Sequence, residues 1–91
     1  MYYALFYKTV DDYITAREKY REEHLAHANA SFERGEMVMA GAYDDPPDGA
    51  LLLFKGESKA VAEDFVKGDP YVKNGIVVRW WVRPWTVVIG G

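Results

Sequence analysis

The sequence predicts an α+β domain with the element order strand, helix, strand, strand, helix, strand. Three observations carry that reading. Residues 11–35 hold a helical apolar stripe, Asp44 to Gly49 is dense in turn formers between two apolar runs, and the closing stretch from Ile76 to about Val88 alternates as a strand does. Two helices over one face of a four-stranded antiparallel sheet is the ferredoxin-like arrangement.

Tyr2 to Tyr7 is aromatic at alternate positions and apolar on both faces, the pattern of a strand covered on both sides. Asp11 and Asp12 offer an N-cap and an acidic first turn for the long helix, and Gly35 its C-terminal stop. At about 100° per residue, Ile14, Arg21, Leu25, Ala28 and Phe32 share a stripe about 60° wide that must face something apolar. The apolar spacing is poor from Glu18 to Tyr20, where the helix is expected to break. His24 falls roughly 50° from the centre of the stripe, at the margin of core and solvent, and His27 more than about 100° away, in water.

Met37 to Tyr43 reads as the second strand, with Gly41 marking a bulge or a close approach. Asp48-Gly49 favours a tight hairpin into the third strand, Ala50 to Lys55, a continuous apolar run. Ser58 caps the second helix, whose buried stripe is Val61, Ala62, Phe65 and Val66. Asp69 at the N-cap with Pro70 at N1 starts a further helical turn, closed by Asn74-Gly75. In the last strand Ile76, Val78, Trp80 and Val82 point one way, and Val77, Arg79, Trp81, Arg83 and Trp85 the other. The sheet face away from the helices then carries Val77, Trp81 and Trp85 with apolar partners from the first and third strands, a patch too large to leave in water. A second copy is the simplest cover, so a homodimer packed through the sheet faces is expected.

Composition narrows the partners. At 91 residues, 49% apolar and 15% aromatic, the chain suits one folded domain over residues 1–91. A net charge of −3 gives no general attraction for phosphate backbones. The third strand also lacks the glycine–aromatic pattern of an RNA-stacking platform, so no nucleic acid is expected as partner. The absence of cysteine removes disulfides, thiolate metal sites and cysteine nucleophiles, and fits a reducing cytoplasm. No basic and apolar leader precedes the first strand, and no apolar run reaches bilayer-spanning length, so no membrane association is expected.

Candidate chemistry gathers at His24. A half-buried imidazole is a group whose protonation a protein can set. Arg21 projects to the same margin one turn earlier, and the loop bearing Asp69 can approach the first helix in this topology. A carboxylate bonded to one imidazole nitrogen fixes the tautomer and raises basicity, which suits general acid–base work near neutral pH. Each residue has a plainer role open to it. His24 can be a hydrogen-bonded structural histidine, Asp69 only a helix cap, and Arg21 a stem over the core with its head paired to Glu18 or a sheet carboxylate. His24 and His27, with Glu23 beside them, have an i, i+3 spacing within reach of one metal ion. His27 points away, however, and the chain holds no second half of a metal motif, so no metal is expected. A small-ligand module that does no chemistry would use the same pocket and the same residues.

The chain resembles the YciI-like (YCII-related) family of small bacterial proteins. The resemblance rests on the Tyr-rich first strand, Arg21-x-x-His24-Leu25-Ala26, Gly35, Ala40-Gly41, Asp69-Pro70-Tyr71 with Gly75 behind it, and Arg83-Pro84-Trp85. It implies a dimeric α+β barrel of ferredoxin-like subunits. It also implies an active site in which a histidine and an aspartate are paired, carried here onto His24 and Asp69. One branch of the family looks like dehydrochlorinases that eliminate HCl from chlorinated hydroxyhydroquinones without metal or organic cofactor, so no cofactor is expected. Related barrels include cofactor-free monooxygenases and isomerases of small aromatic or lactone substrates. This chain has Glu22-Glu23 where some relatives carry a proline, and a shorter, proline-rich second hairpin; both changes bear on the pocket rim. The expectation is acid–base chemistry, elimination or hydrolysis-like, on a small anionic or phenolic molecule. In it His24 moves the proton, Asp69 orients His24, Arg21 holds a negative oxygen, Gly41 leaves room for the ligand, and Tyr71 and Trp85 form pocket walls.

Overall fold

The structure, a computed structural model, describes residues 1–91. In chain order the elements are β1 (Tyr2–Thr9), α1 (Tyr13–Ala16), a 3₁₀ turn (Glu18–Tyr20), α2 (Arg21–Glu33), β2 (Met37–Ala42), β3 (Gly49–Lys55), α3 (Ala60–Gly68), α4 (Pro70–Lys73) and β4 (Val77–Trp85). The four strands form one antiparallel sheet in the order β2-β3-β1-β4, with the helices over one face. This is the ferredoxin-like fold, the subunit fold of the dimeric α+β barrel class.

The core lies between that sheet face and the helices. Tyr3, Leu5 and Tyr7 of β1 and Leu52 and Phe54 of β3 pack under Ala62, Phe65 and Val66 of α3 and Tyr71 of α4. Leu5 and Phe54 are fully buried, each stabilising the fold by about 2 kcal/mol relative to exposure. The alternation within β1 and β3 is what sends these side chains to one face together. Local signals end the elements as their residues dictate. Gly35 (φ +79°) and Gly75 (φ +74°) take the left-handed conformation that stops α2 and α4, and the Ser58 hydroxyl accepts from the Ala60 N–H at the start of α3. No helix is long and apolar enough to cross a membrane.

Five expectations are corrected. The helix does break at Glu18–Tyr20, but Ile14, Leu25 and Phe32 do not face the core; they are 46, 42 and 58% exposed. The break puts Ile14 on a different axis, and α2 leans inward on His24, His27, Ala28 and Ser31, an i, i+3, i+4, i+7 stripe of small and polar residues. His27 is therefore not in water. Its ring stacks on Phe65, 4.4 Å between centres, and its Nε2–H donates to the Phe65 carbonyl at 2.8 Å, one of the carbonyls the end of α3 leaves free.

Val77 joins the core instead of the open face, because the register of β1 against β4 shifts between Lys8 and Thr9 and leaves Val78 as the extra residue. The irregularity in β2 lies between Met37 and Met39, not at Gly41. Asp48-Gly49 is not the hairpin turn. The loop spans residues 43–48, and Gly49 already belongs to β3, where a Cβ would come within 2.4 Å of the Tyr7 carbonyl oxygen.

Candidate functional site

Asp69 is the point from which the site is built. Its extended backbone (φ −76°, ψ 118°) caps α4, with Pro70 at N1, and Oδ1 accepts the Tyr71 N–H at 3.0 Å. That cap fixes the carboxylate rotamer and aims it at α2. Oδ1 also lies 2.7 Å from His24 Nδ1, and Oδ2 accepts the Tyr7 hydroxyl at 2.6 Å. The carboxylate is fully buried, and its desolvation is offset by three donors, two of them from side chains.

The same geometry sets the imidazole. A carboxylate only accepts, so Nδ1 of His24 carries the hydrogen and Nε2 is left as the free, basic nitrogen. The His24 side chain is 14% exposed, and its ring lies flat on Tyr71, 3.8 Å between centres and 4° from parallel. Asp69-Pro70-Tyr71 thus orients His24 twice, by a bond from the first residue and a stacking surface from the third.

His24 borders a cleft of about 480 Å³ between α2, the sheet and α4. Tyr7, Thr9, Arg21 and Tyr71 line the same space, and Leu25 and Phe32 form its apolar side. The apolar stripe that sequence spacing assigned to the core is therefore the wall of a cleft. The Thr9 and Tyr71 hydroxyls are buried without a hydrogen-bond partner. Burial, then the Asp69 charge and the bond to it, pushes the Tyr7 phenol far above its ordinary range. Burial also pushes Tyr71 up, with Tyr13 adding to the effect and the Arg21 and Arg17 guanidiniums working against it.

The candidate residues divide. His24, Asp69, Arg21 and Tyr71 come together, and Arg21 has no ion-pair partner, so it is tied neither to Glu18 nor to a sheet carboxylate. Gly41 lies at the rim of the cleft, where an added Cβ would meet nothing within 4 Å. Trp85 is elsewhere. It pairs with Tyr2 at the end of β4 and lines a second hollow, on the open sheet face, with Phe6, Leu53, Trp81 and Arg83. The alternation of side chains along the strand places it there: Trp81, Arg83 and Trp85 share the face turned away from the helices.

Sequence spacing missed Tyr7 and Arg17. Tyr7 is one of several tyrosines in β1, and its only signal was a phenol on the helix-facing side of a strand, which must find a hydrogen-bond partner there. Arg17 precedes the helix break, so its direction could not be projected from α2. No group of three or more His, Cys, Asp or Glu side chains is placed so that it could hold a metal ion.

A four-stranded antiparallel sheet with helices over one face places the chain in the ferredoxin-like α+β class. The chain belongs to the YCII-related domain family, whose model matches residues 1–86. It is 29% identical, over an alignment of 97 residues, to an uncharacterized protein of Haemophilus influenzae, covering 97% of this chain and 99% of that one. Among solved structures it is similar to 5-chloro-2-hydroxyhydroquinone dehydrochlorinase (TftG) of Burkholderia phenoliruptrix in complex with 2,5-dihydroxybenzoquinone. The TM-score is 0.78, with 21% identity over 94% of each chain, a likeness of fold.

Proposed function

We propose that the protein is a cofactor-independent enzyme in which the His24–Asp69 pair carries out acid–base chemistry on a small anionic or phenolic molecule. The 2.7 Å bond from His24 Nδ1 to a fully buried carboxylate is the observation that carries this reading. It leaves Nε2 basic and facing a cleft, and it stabilises the imidazolium formed when Nε2 takes a proton.

The reaction that fits best is an elimination. From the keto tautomer of a phenolic substrate, Nε2 removes the proton of a ring hydroxyl conjugated with the C–Cl carbon. The freed electron pair becomes the new double bond, and chloride departs with the C–Cl pair, leaving a quinone. The imidazolium then returns the proton to solvent. Arg21 and the Tyr71 hydroxyl would hold a negative oxygen of the substrate and so position it against Nε2. The dehydrochlorinase of the same fold supports elimination as the reaction type. Activation of water by the same nitrogen, for hydrolysis, uses the same residues.

Two further features belong to this reading. The aromatic open face of the sheet is covered by a second copy, forming the homodimer, and the cysteine-free composition suits a cytoplasmic enzyme. The partnerless Thr9 and Tyr71 hydroxyls favour a second reading, a domain that binds a small ligand and does no chemistry.

Chloride release from chlorinated hydroxyhydroquinones, followed for the wild type and His24→Ala, separates the two. Turnover in the wild type that His24→Ala abolishes, with the fold retained, is the expected result. A ligand that binds tightly and is recovered unchanged would overturn the enzymatic reading.

A further inference from the structure

Arg17 and Arg21 flank the 3₁₀ turn Glu18–Tyr20, and both border the His24 cleft. The ion pairs of the chain are His24–Asp69, Arg34–Glu36 and Lys67–Asp64, so neither guanidinium is paired. No Asp or Glu side chain lines the cleft, and both oxygens of Asp69 are already taken. Arg17 lies over the Tyr13 ring, 4.9 Å from its centre, and Tyr13 meets Tyr71 edge-on at 6.1 Å. At that junction the Tyr71 hydroxyl, on a residue 2% exposed, faces the Arg21 guanidinium and has no acceptor for its own hydrogen. Two free cations and a buried donor without an acceptor converge in a protein whose net charge is −3. Two guanidiniums and a hydroxyl donor brought to one corner are a charge and hydrogen-bond complement for a single anion.

We propose that this corner seats a carboxylate: the ligand is a small organic acid with an apolar body, and Arg17 and Arg21 share its two carboxylate oxygens while the Tyr71 hydroxyl donates to one of them. A planar anion with two oxygens matches a pair of guanidinium forks, whereas a single phenolate oxygen satisfies only one of them. The apolar body lies against Leu25, Phe32 and Met39, which line the cleft and are exposed. Because the His24 ring is stacked on Tyr71 at 3.8 Å, the proton moved by Nε2 comes from a position close to the carboxylate-bearing atom. Only this last point rests on the acid–base reading given above; the carboxylate seat does not.

Calorimetric titration of the full chain with benzoate, benzamide and phenol tests the seat. Saturable binding of benzoate, with benzamide and phenol weaker by about tenfold or more, is expected from charge-assisted hydrogen bonding. Arg17→Gln and Arg21→Gln should each weaken benzoate by about tenfold or more, with thermal midpoints unchanged. Arg17→Lys, which keeps the charge and loses the fork, should stay weakened. Benzamide binding as tightly as benzoate, or Arg17→Gln binding benzoate as the wild type does, overturns the proposal. His24→Ala should still bind benzoate. A protein that seats benzoate through Arg17 yet turns over no substrate therefore refutes the catalytic reading alone, and one that turns over a substrate with no need of Arg17 refutes the seat alone.

Discussion

Tyr7 and Asp69 are separated by 62 positions in the chain, yet the phenol of the first donates to the carboxylate of the second at 2.6 Å. The bond ties the central strand to the corner between α3 and α4, and so holds the carboxylate from below while His24 meets it from α2. The position of the His–Asp pair is therefore set by the core as much as by the cleft. A strand buried on its helix face has little freedom to shift, and the pair inherits that rigidity.

Tyr7→Phe should lower stability by about 1–3 kcal/mol, since it leaves one oxygen of a fully buried carboxylate without its donor while keeping the ring volume. Urea denaturation of the two proteins measures it. Equal midpoints would mean that water or a shifted donor replaces the phenol. If the pair is catalytic, the same change also lowers turnover without changing ligand affinity.

Alkaline pH isolates the same bond. The Tyr7 phenol is held above its ordinary value of 10.0 by burial first and by Asp69 second. Above that value the unfolded chain sheds the Tyr7 proton and the folded chain keeps it, so the unfolded state binds fewer protons and stability falls with rising pH. The advantage of wild type over Tyr7→Phe should be constant below about pH 10 and then shrink by about 1.4 kcal/mol for each further pH unit. Urea midpoints between about pH 8 and pH 11 follow the difference. An advantage undiminished at the upper end would contradict the assignment.

The open sheet face predicts assembly. Phe6 and Trp81 stack at 5.5 Å, Arg79 lies over the Trp81 ring at 5.1 Å, and Trp81 and Trp85 remain 39 and 46% exposed. The wild type should elute in solution at twice the protomer mass of 10.4 kDa, and Trp81→Glu at the protomer mass, because a carboxylate at the centre of an apolar contact has no partner there. Light scattering coupled to size exclusion reads both. A monomeric wild type would remove the dimer from the account.

The fold was legible in the sequence because its signals are local. The short apolar runs of β1 and β3, Asp69-Pro70 at the start of α4, and Gly35 and Gly75 at helix ends each act within a few residues. What was not legible depends on how elements meet. The shift between Lys8 and Thr9 that brings Val77 inward is a property of a strand pair. The inward stripe of α2 is polar because its partners are the Asp69 carboxylate and the Phe65 carbonyl, which no hydrophobic pattern reveals. The candidate site was half legible for the same reason. His24, Arg21, Asp69 and Tyr71 sit in short motifs, whereas Tyr7 and Arg17 act across the fold and Trp85 follows its strand to the opposite face.

The charge on Asp69 gives the sharpest test of the pair. With Asp69 ionised, only Nδ1–H can face it, so the free nitrogen must be Nε2. In Asp69→Asn the amide must still accept from the Tyr71 N–H through its oxygen, which is the atom that also faces His24, while its NH₂ replaces the oxygen that bound the Tyr7 hydroxyl. The Tyr7 hydroxyl turns to accept from that NH₂, whereas rotating the amide would set its NH₂ against the Tyr71 N–H, so Nδ1 of His24 keeps its hydrogen. The variant therefore keeps the tautomer and loses the negative charge that stabilises the imidazolium. Nitrogen NMR of the imidazole should show Nδ1–H in both the wild type and Asp69→Asn. Turnover of any true substrate should fall by about a hundredfold or more. A variant that keeps its activity would show that Asp69 serves α4 as a cap and nothing else.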